Sequence, residues 1–314
     1  MIVTVTPNPS LDRSVALGRL ERGAVHRSER SLLEPGGKGV NVARALAAAD
    51  HGAVALLPTG GAEGSRLAEL LAPESVSVVE VPIEGTTRTN LTLLEPDGTT
   101  TKINEPGSAL NRGELEGLRS RLGELAARAD WVVACGSLPA GCPEDLHAAL
   151  VRTSRSAGTR VAVDASGGPL AEARWARPDL IAPNLSELAE LVGRELSDLA
   201  EVVSAAREVR RDDVGAVLVT LGERGAVLVE ARGCWHANSR ARWVRSTVGA
   251  GDAALAGFLL AGADGPEALR HAVAYGTAGV ELSGSRMPSP GDLRLESVRV
   301  TEVDETRHLD GVTL

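Results

Sequence analysis

The 314-residue sequence predicts an α/β fold in which one mostly parallel sheet is covered by helices on both faces and carries a small β-sheet lid. Three observations predict it. Short β-branched runs alternate with Ala/Leu/Glu/Arg stretches of helical character, the pattern of consecutive βαβ units. The chain is too long for one minimal domain but suits one large α/β unit with an appendage. Two stretches, at about 11–33 and 86–103, interrupt the alternation with strand-like runs joined by turns and no helix between them. The architecture is therefore read as a Rossmann-like αβα sandwich, a single domain over 1–314, with the lid built from about 11–35 and 86–104.

Taken in order, the candidate strands are 2–6, 54–57, 76–83, 131–135, 161–164, 216–221 and 226–229, and the candidate helices include 39–49, 112–129, 143–157 and 186–193. In the second excursion, 89–94 and 99–103 flank Glu95-Pro96-Asp97-Gly98. A Pro-Asp-Gly turn between Thr-rich runs is a hairpin signal, because Pro presets φ and Gly accepts the left-handed position. In sheets of this kind ligands bind outside the carboxyl ends of the strands, and the glycine-rich motifs fall there. No internal repeat, low-complexity segment or flexible linker is visible.

Composition excludes several classes. Hydrophobic residues make up 43% of the chain but aromatics only 2%, so the core must be built from Ala, Val and Leu. The formal charge of −9 argues against an extended nucleic-acid surface, which needs clustered positive charge. Cys135, Cys142 and Cys234 have no metal-ligand spacing, and an odd count suits no disulfide framework. With no signal-peptide pattern at the start and no apolar run of spanning length, the expectation is a cytoplasmic protein with no membrane partner. His26, His51, His147, His236, His271 and His308 form no i, i+4 metal pair. Trp131, Trp175, Trp235 and Trp243 read as packing residues, and the acidic stretch near 303–305 as solvated surface. The 33 basic residues include only two lysines, Lys38 and Lys102. Ammonium and guanidinium are not interchangeable at a tight phosphate site, so both positions draw attention.

Two motifs carry chemistry. The run Gly249-Ala250-Gly251-Asp252 opens into an apolar helical stretch ending near Phe258. Small residues there let backbone N–H groups converge at a helix N-terminus, where the helix dipole favours an anion. Asp252 in the first turn is placed to take a proton from a hydroxyl beside that anion. The same run also fits an ordinary Gly-rich turn with Asp252 as a helix-start residue. The second motif, Pro35-Gly36-Gly37-Lys38-Gly39-Val40-Asn41, exposes amides before another helix and adds a point charge and a two-way hydrogen-bonding group. It suits a polyhydroxylated or phosphorylated ligand, and its spacing is not that of a Walker P-loop. A tight turn with a solvated Lys fits the motif nearly as well.

Together with further segments these motifs resemble a family. Thr6-Pro7-Asn8-Pro9-Ser10-Leu11-Asp12, residues 36–46, Thr87-Arg88-Thr89-Asn90, Gly136-Ser137-Leu138-Pro139, Asp164-Ala165-Ser166-Gly167, Pro183-Asn184-Leu185-Ser186-Glu187, Thr220-Leu221-Gly222-Glu223-Arg224-Gly225 and residues 247–258 follow one another in the order of the ribokinase-like (pfkB) carbohydrate kinases, and within them of the 1-phosphofructokinase and tagatose-6-phosphate kinase branch. The resemblance implies a ribokinase-like fold and ATP-dependent phosphorylation of a ketohexose phosphate, foremost fructose 1-phosphate to fructose 1,6-bisphosphate. Tagatose-6-phosphate kinase and 6-phosphofructokinase are the alternatives. It implies Asp252 as catalytic base, with the amides of Gly249, Ala250 and Gly251 as anion hole. Asp12, Gly37, Lys38, Asn41 and Ser137 would form the sugar site, and Arg88 and Arg27 would hold the substrate phosphate. Asn184, Glu187, Thr220, Gly222 and Gly225 would form the nucleotide side, with Glu187 meeting Mg²⁺ through water. A homodimer joined through the lids is also implied. One departure stands out: where the branch usually carries Lys before Pro-Asn, this chain has Ala182. Lys102 is a candidate substitute for the missing charge, and a non-catalytic sugar-phosphate or nucleotide sensor is the reading of another class.

Overall fold

The structure, a computed structural model, describes residues 1–303. The chain opens with β1 (Ile2–Val5), makes the antiparallel pair β2 (Ser10–Ala16) and β3 (Arg30–Gly36), and turns directly into α1 (Lys38–Ala48). Next come β4 (Ala53–Thr59), α2 (Gly61–Leu71), β5 (Ser77–Pro82), β6 (Arg88–Leu94) and β7 (Thr100–Ile103). The middle of the chain continues with α3 (Arg112–Ala126), β8 (Trp131–Cys135), α4 (Leu146–Ser156), β9 (Arg160–Asp164), α5 (Gly167–Arg174) and β10 (Leu180–Ile181). The last third holds α6 (Leu185–Val192), α7 (Leu199–Arg210), β11 (Ala216–Thr220), β12 (Ala226–Glu230), β13 (Gly233–Asn238), α8 (Ala250–Leu260), α9 (Gly265–Glu281) and β14 (Arg299–Glu302).

Ten strands form one sheet in the order β14-β13-β12-β11-β10-β9-β8-β1-β4-β5. From β11 to β5 every pairing is parallel, and β12, β13 and β14 extend the other edge antiparallel. Strand period two divides the core between the faces. Trp131, Val133 and Cys135 of β8 enter one apolar layer, and Val132 and Ala134 the other. Strands buried on both faces read as continuous apolar runs, as Ile2–Val5 does. With so few aromatics, close backbone approach does part of the packing. A Cβ on Gly257 of α8 would lie 2.6 Å from Tyr275 of α9 and 2.7 Å from the His271 carbonyl, so only glycine lets these helices meet.

The second sheet has the order β3-β2-β6-β7. The two excursions join by a parallel β2–β6 ladder that sets Ser10 against Arg88 and Asp12 against Asn90. The turn after β6 closes through Gly98 N–H to the Glu95 carbonyl, and Asp97 accepts from Thr99 N–H. Since β1 feeds β2 and β3 feeds α1, this sheet stands over the carboxyl ends of the parallel strands.

Several expectations shift. The helix expected over 112–129 ends at Ala126, because Arg128 and Ala129 tighten into i→i−3 turns on Leu125 and Ala126. The helix expected from 143 begins at Leu146, after a turn in which Leu146 N–H meets the Pro143 carbonyl. Trp131 is buried, but Trp175 and Trp243 are 58% and 50% exposed. Trp175 lies under the Arg174 guanidinium, and Trp243 donates its indole N–H to the Glu281 carbonyl. Beyond Val303 the acidic stretch, with His308, lies outside the described residues.

Candidate active site

A cavity of about 950 Å³ opens between the small sheet and the carboxyl ends of the large one. Its wall brings together Asp12, Gly37, Lys38, Asn41, Asn184, Glu187, Thr220, Gly249, Gly251 and Asp252. Those residues span almost the whole chain, and sheet order alone makes them neighbours.

At one side stands the start of α8. Gly249 is its N-cap, with φ +77°, and no side chain caps the helix. A Cβ there would lie 2.5 Å from the Met287 methyl and would strain the left-handed backbone. Helix geometry leaves the first N–H groups without intrahelical acceptors, so those of Gly251 and Asp252 point out of the helix end. The Ala250 N–H instead turns back toward the Thr247 carbonyl (3.5 Å), and Ala250 does not line the cavity. Asp252 is 7% exposed, and its Oδ2 accepts from Asn41 Nδ2 at 2.8 Å. Burial, then the Asp164 charge, push the Asp252 carboxyl up to about 7, against the pull of the Asn41 hydrogen bond and the Lys38 charge. A carboxyl poised there is suited to general-base work near neutral pH.

Lys38 begins α1 behind Gly37, another uncapped glycine with φ +112°. Its Nζ lies 2.7 Å from Asp164 Oδ1 and 3.5 Å from Glu187 Oε1. Burial works against its charge, but these carboxylates outweigh burial and hold the ammonium above the ordinary lysine range. The ammonium is thus turned toward the end of β9 and the start of α6. Sequence reasoning left Asp164 without a role, although its segment was visible.

Asn184 and Glu187 form a reciprocal capping box on α6. Asn184 Oδ1 accepts from Glu187 N–H (2.9 Å), and Glu187 Oε2 accepts from Asn184 N–H (2.9 Å). That arrangement gives the Asn-x-x-Glu spacing a local structural reason. It leaves Glu187 Oε1 facing Lys38 and the cavity. Among the described residues no group of three or more His, Cys, Asp or Glu is arranged to hold a metal. The donors present fit a hydrated divalent cation carried in with phosphates, which needs few protein ligands, and do not form a dedicated cage. Thr220 lines the cavity, whereas Gly222 and Gly225 do not. A Cβ on Gly225 would lie 2.0 Å from the Ala237 carbonyl, so packing of β12 on β13 accounts for that glycine.

On the small sheet, Asp12 Oδ1 accepts from Ser10 Oγ (2.8 Å) and Asn90 Nδ2 (2.9 Å), which leaves Oδ2 to accept from a ligand. Gly36 is required here, since its Cβ would lie 2.4 Å from the Asp12 carboxyl. Ser14, Thr92 and Lys102 continue the same face in register across β2, β6 and β7 and line the cavity with Asn90, Asn104 and Glu34. Sequence reasoning assigned none of these to the sugar site. The signal was the polar alternation 10, 12, 14 and 90, 92, legible once the strands are known to pair. Both lysines of the chain border this one cavity, as do Arg245 and Ala182.

Three further expected residues, Arg88, Ser137 and Arg27, also lie off the cavity wall. Arg88 donates to the carbonyls of Glu105 (3.0 Å) and Asn8 (3.0 Å), and its buried Nε has no partner among the described residues. Burial lowers its pKa, opposed by Asp12 and Glu105. Asn8 also donates to Ser137 Oγ (3.4 Å), so Arg88 and Ser137 are tied through one residue. Arg27 is exposed between β2 and β3.

A model of the pfkB family of carbohydrate kinases matches residues 8–291. A 1-phosphofructokinase of Rhodobacter capsulatus is 39% identical over 306 residues, 96% of each chain. The ATP-dependent 6-phosphofructokinase isozyme 2 of Escherichia coli is 36% identical over 93% of this chain and 96% of its own. A crystal structure of Escherichia coli phosphofructokinase-2 in complex with substrates and products superposes with a TM-score of 0.88 at 35% identity, over 93% of this chain and 96% of that one. The chain belongs to the pfkB family of carbohydrate kinases and has its ribokinase-like α/β fold.

Proposed function

We propose that this carbohydrate kinase transfers the γ-phosphoryl group of ATP to a ketohexose phosphate, converting fructose 1-phosphate to fructose 1,6-bisphosphate. One observation carries the mechanism: the buried Asp252 carboxylate shares a cavity with the hydroxyl-binding face around Asp12 and stands in the first turn of an uncapped helix. The acceptor hydroxyl lies between Asp252 and the γ-phosphorus. Asp252 takes the proton as the new O–P bond forms and the bond to the β-phosphate oxygen breaks, releasing ADP. Amides at the start of α8 face the charge on the transferring group.

Asp12, fixed by Ser10 and Asn90, accepts from sugar hydroxyls, with Gly37, Asn41 and Ser137 completing the sugar site. Arg88, helped by Arg27, holds the phosphate already on the substrate, its guanidinium turning to it from the Glu105 and Asn8 carbonyls. On the nucleotide side, Thr220 and the Gly222–Gly225 turn flank the triphosphate. Asn184 and Glu187 would hold Mg²⁺ through water, and the ion neutralises phosphate charge when bound. With Ala182 uncharged, Lys38 and Lys102 are the ammonium groups on this cavity. The small sheet acts as a lid that closes over the substrates and excludes water. Val25 and Ile103 are 84% and 54% exposed beside and on that sheet, with Ile103 on the face opposite to Lys102, which supports a homodimer covering its outer surface. Free cysteines and the absence, among the described residues, of a helix long and apolar enough to cross a membrane support a cytoplasmic setting.

The test is ATP turnover with fructose 1-phosphate, fructose 6-phosphate and tagatose 6-phosphate. Fructose 1-phosphate should give the highest kcat/KM. A higher value with either 6-phosphate reassigns the substrate, and binding without turnover of any acceptor overturns the reading.

A further inference from the structure

Arg44 is the charged side chain nearest to being lost in the core. It lies on α1 at 4% exposure and touches four parts of the chain. Its Nε and one terminal nitrogen grip Glu74 (2.7 and 3.0 Å), just beyond α2. The other terminal nitrogen reaches the Ser285 carbonyl (2.9 Å) and hydroxyl (3.2 Å), the Pro35 carbonyl at the end of β3 (3.4 Å), and Asn41 Oδ1 one turn back on its own helix (3.4 Å). A guanidinium only donates, so it fixes the direction of any amide beside it. With Asn41 Oδ1 turned toward Arg44, Asn41 Nδ2 is left to donate to Asp252 Oδ2. The flipped amide would set NH₂ against a cation and its oxygen against a carboxylate, repulsive on both sides.

We propose that Arg44 is a positioning residue for phosphoryl transfer: it holds the Asn41 amide in the orientation that donates to Asp252, and so keeps that carboxylate aimed and ionised. This rests on Asp252 being the base. The charged groups facing Asp252 are Lys38 on α1, Asp164 at the end of β9 and Glu187 on α6. From α9, Gly276 and Gly279 meet the start of α8, against Ala250, Ala253 and Ala254. Among these neighbours Asn41 is the one that hydrogen-bonds the carboxylate, so losing its donation favours the protonated form, which cannot accept a hydroxyl proton.

The test is the pH profile of kcat at saturating substrates for the full chain and for Arg44→Met, Arg44→Lys and Glu74→Gln. Ionisations of the substrates are common to all four, so differences belong to the protein. Arg44→Met should move the acid limb upward by about one pH unit. Its kcat at pH 6.5 then falls about tenfold and largely recovers near pH 8.5. Arg44→Lys should move the limb less, in the same direction. Glu74→Gln breaks the ion pair but keeps the guanidinium on Asn41; it should lower Tm and leave the limb in place. If the limb stays put in both Arg44 variants, or moves as far in Glu74→Gln, Arg44 serves only the fold and the proposal is overturned. Failure of both Arg44 variants to fold assigns it to the fold as well. Asp252→Asn separates the two levels. Retained turnover there removes the base assignment itself, whereas abolished turnover with an unmoved limb removes only the role of Arg44.

Discussion

The starts of α6 and α8 face the same cavity and are built in opposite ways. At α6, Asn184 and Glu187 satisfy each other's backbone N–H groups, so the helix end is closed by its own side chains. At α8, Gly249 offers no side chain, and the Gly251 and Asp252 amides are left for a ligand. An Asn-x-x-Glu motif is therefore a structural device first, and its chemistry lies in the one carboxylate oxygen the box does not use. A glycine run is the reverse: it contributes little to its own helix and leaves room for an anion. Asp252 sits in the open end, where burial and the Asp164 charge raise its pKa.

The largest expected effect breaks the open end. Asp252→Asn should lower kcat by about 10³-fold, the scale of a lost general base, in the steady-state assay. The same variant should be more stable than wild type. The Asp252 carboxyl titrates near 7 in the fold against an ordinary 3.8. The stability tied to its proton is present below pH 4 and is lost as pH rises through 7. The Tm advantage of Asp252→Asn should therefore grow between pH 4 and 7 and then level off, and a constant difference would refute the raised pKa.

Next comes Gly249→Ala. The left-handed φ costs an alanine about 1–2 kcal/mol, and the flexible Met287 methyl can move aside, so the chain should fold with a lowered Tm. Displaced amides should cost about tenfold in kcat, and an unchanged kcat would show that the open helix end carries no charge stabilisation.

The smallest effect sharpens the closed end. Glu187→Gln keeps a capping box, so unfolding stability should stay within about 0.5 kcal/mol, whereas Asn184→Ala should lose about 1 kcal/mol. If Glu187 also serves the nucleotide, Glu187→Gln should still raise KM for Mg·ATP several-fold. An unmoved KM would leave it a cap alone.

Much of this was legible beforehand. Runs such as Trp131–Cys135 and Ala216–Thr220 declare buried strands, and the Pro-Asp-Gly turn marks the β6–β7 hairpin. Gly249–Asp252 and Gly37–Asn41 stand out because glycine before an apolar helix is a local pattern. The capping box was legible too, from Asn184 and Glu187 three apart, but was read for its chemistry alone. Arg44 was not legible: as a base inside the helical stretch after Gly-Gly-Lys it looks like a surface charge. Nor was the Lys38–Asp164–Glu187 group, whose carboxylates lie 126 and 149 residues from the lysine.

By itself the sequence determined the element types, the glycine helix starts and the largely aliphatic core, since each follows from φ preferences, side-chain period and residue size within a few neighbours. Tertiary structure decided which helix starts share a cavity, which lysine meets which carboxylate, and that Asn41 turns toward Asp252 under Arg44. Those contacts follow from strand order and helix packing, which sum weak preferences over the whole chain, so no local window of sequence contains them.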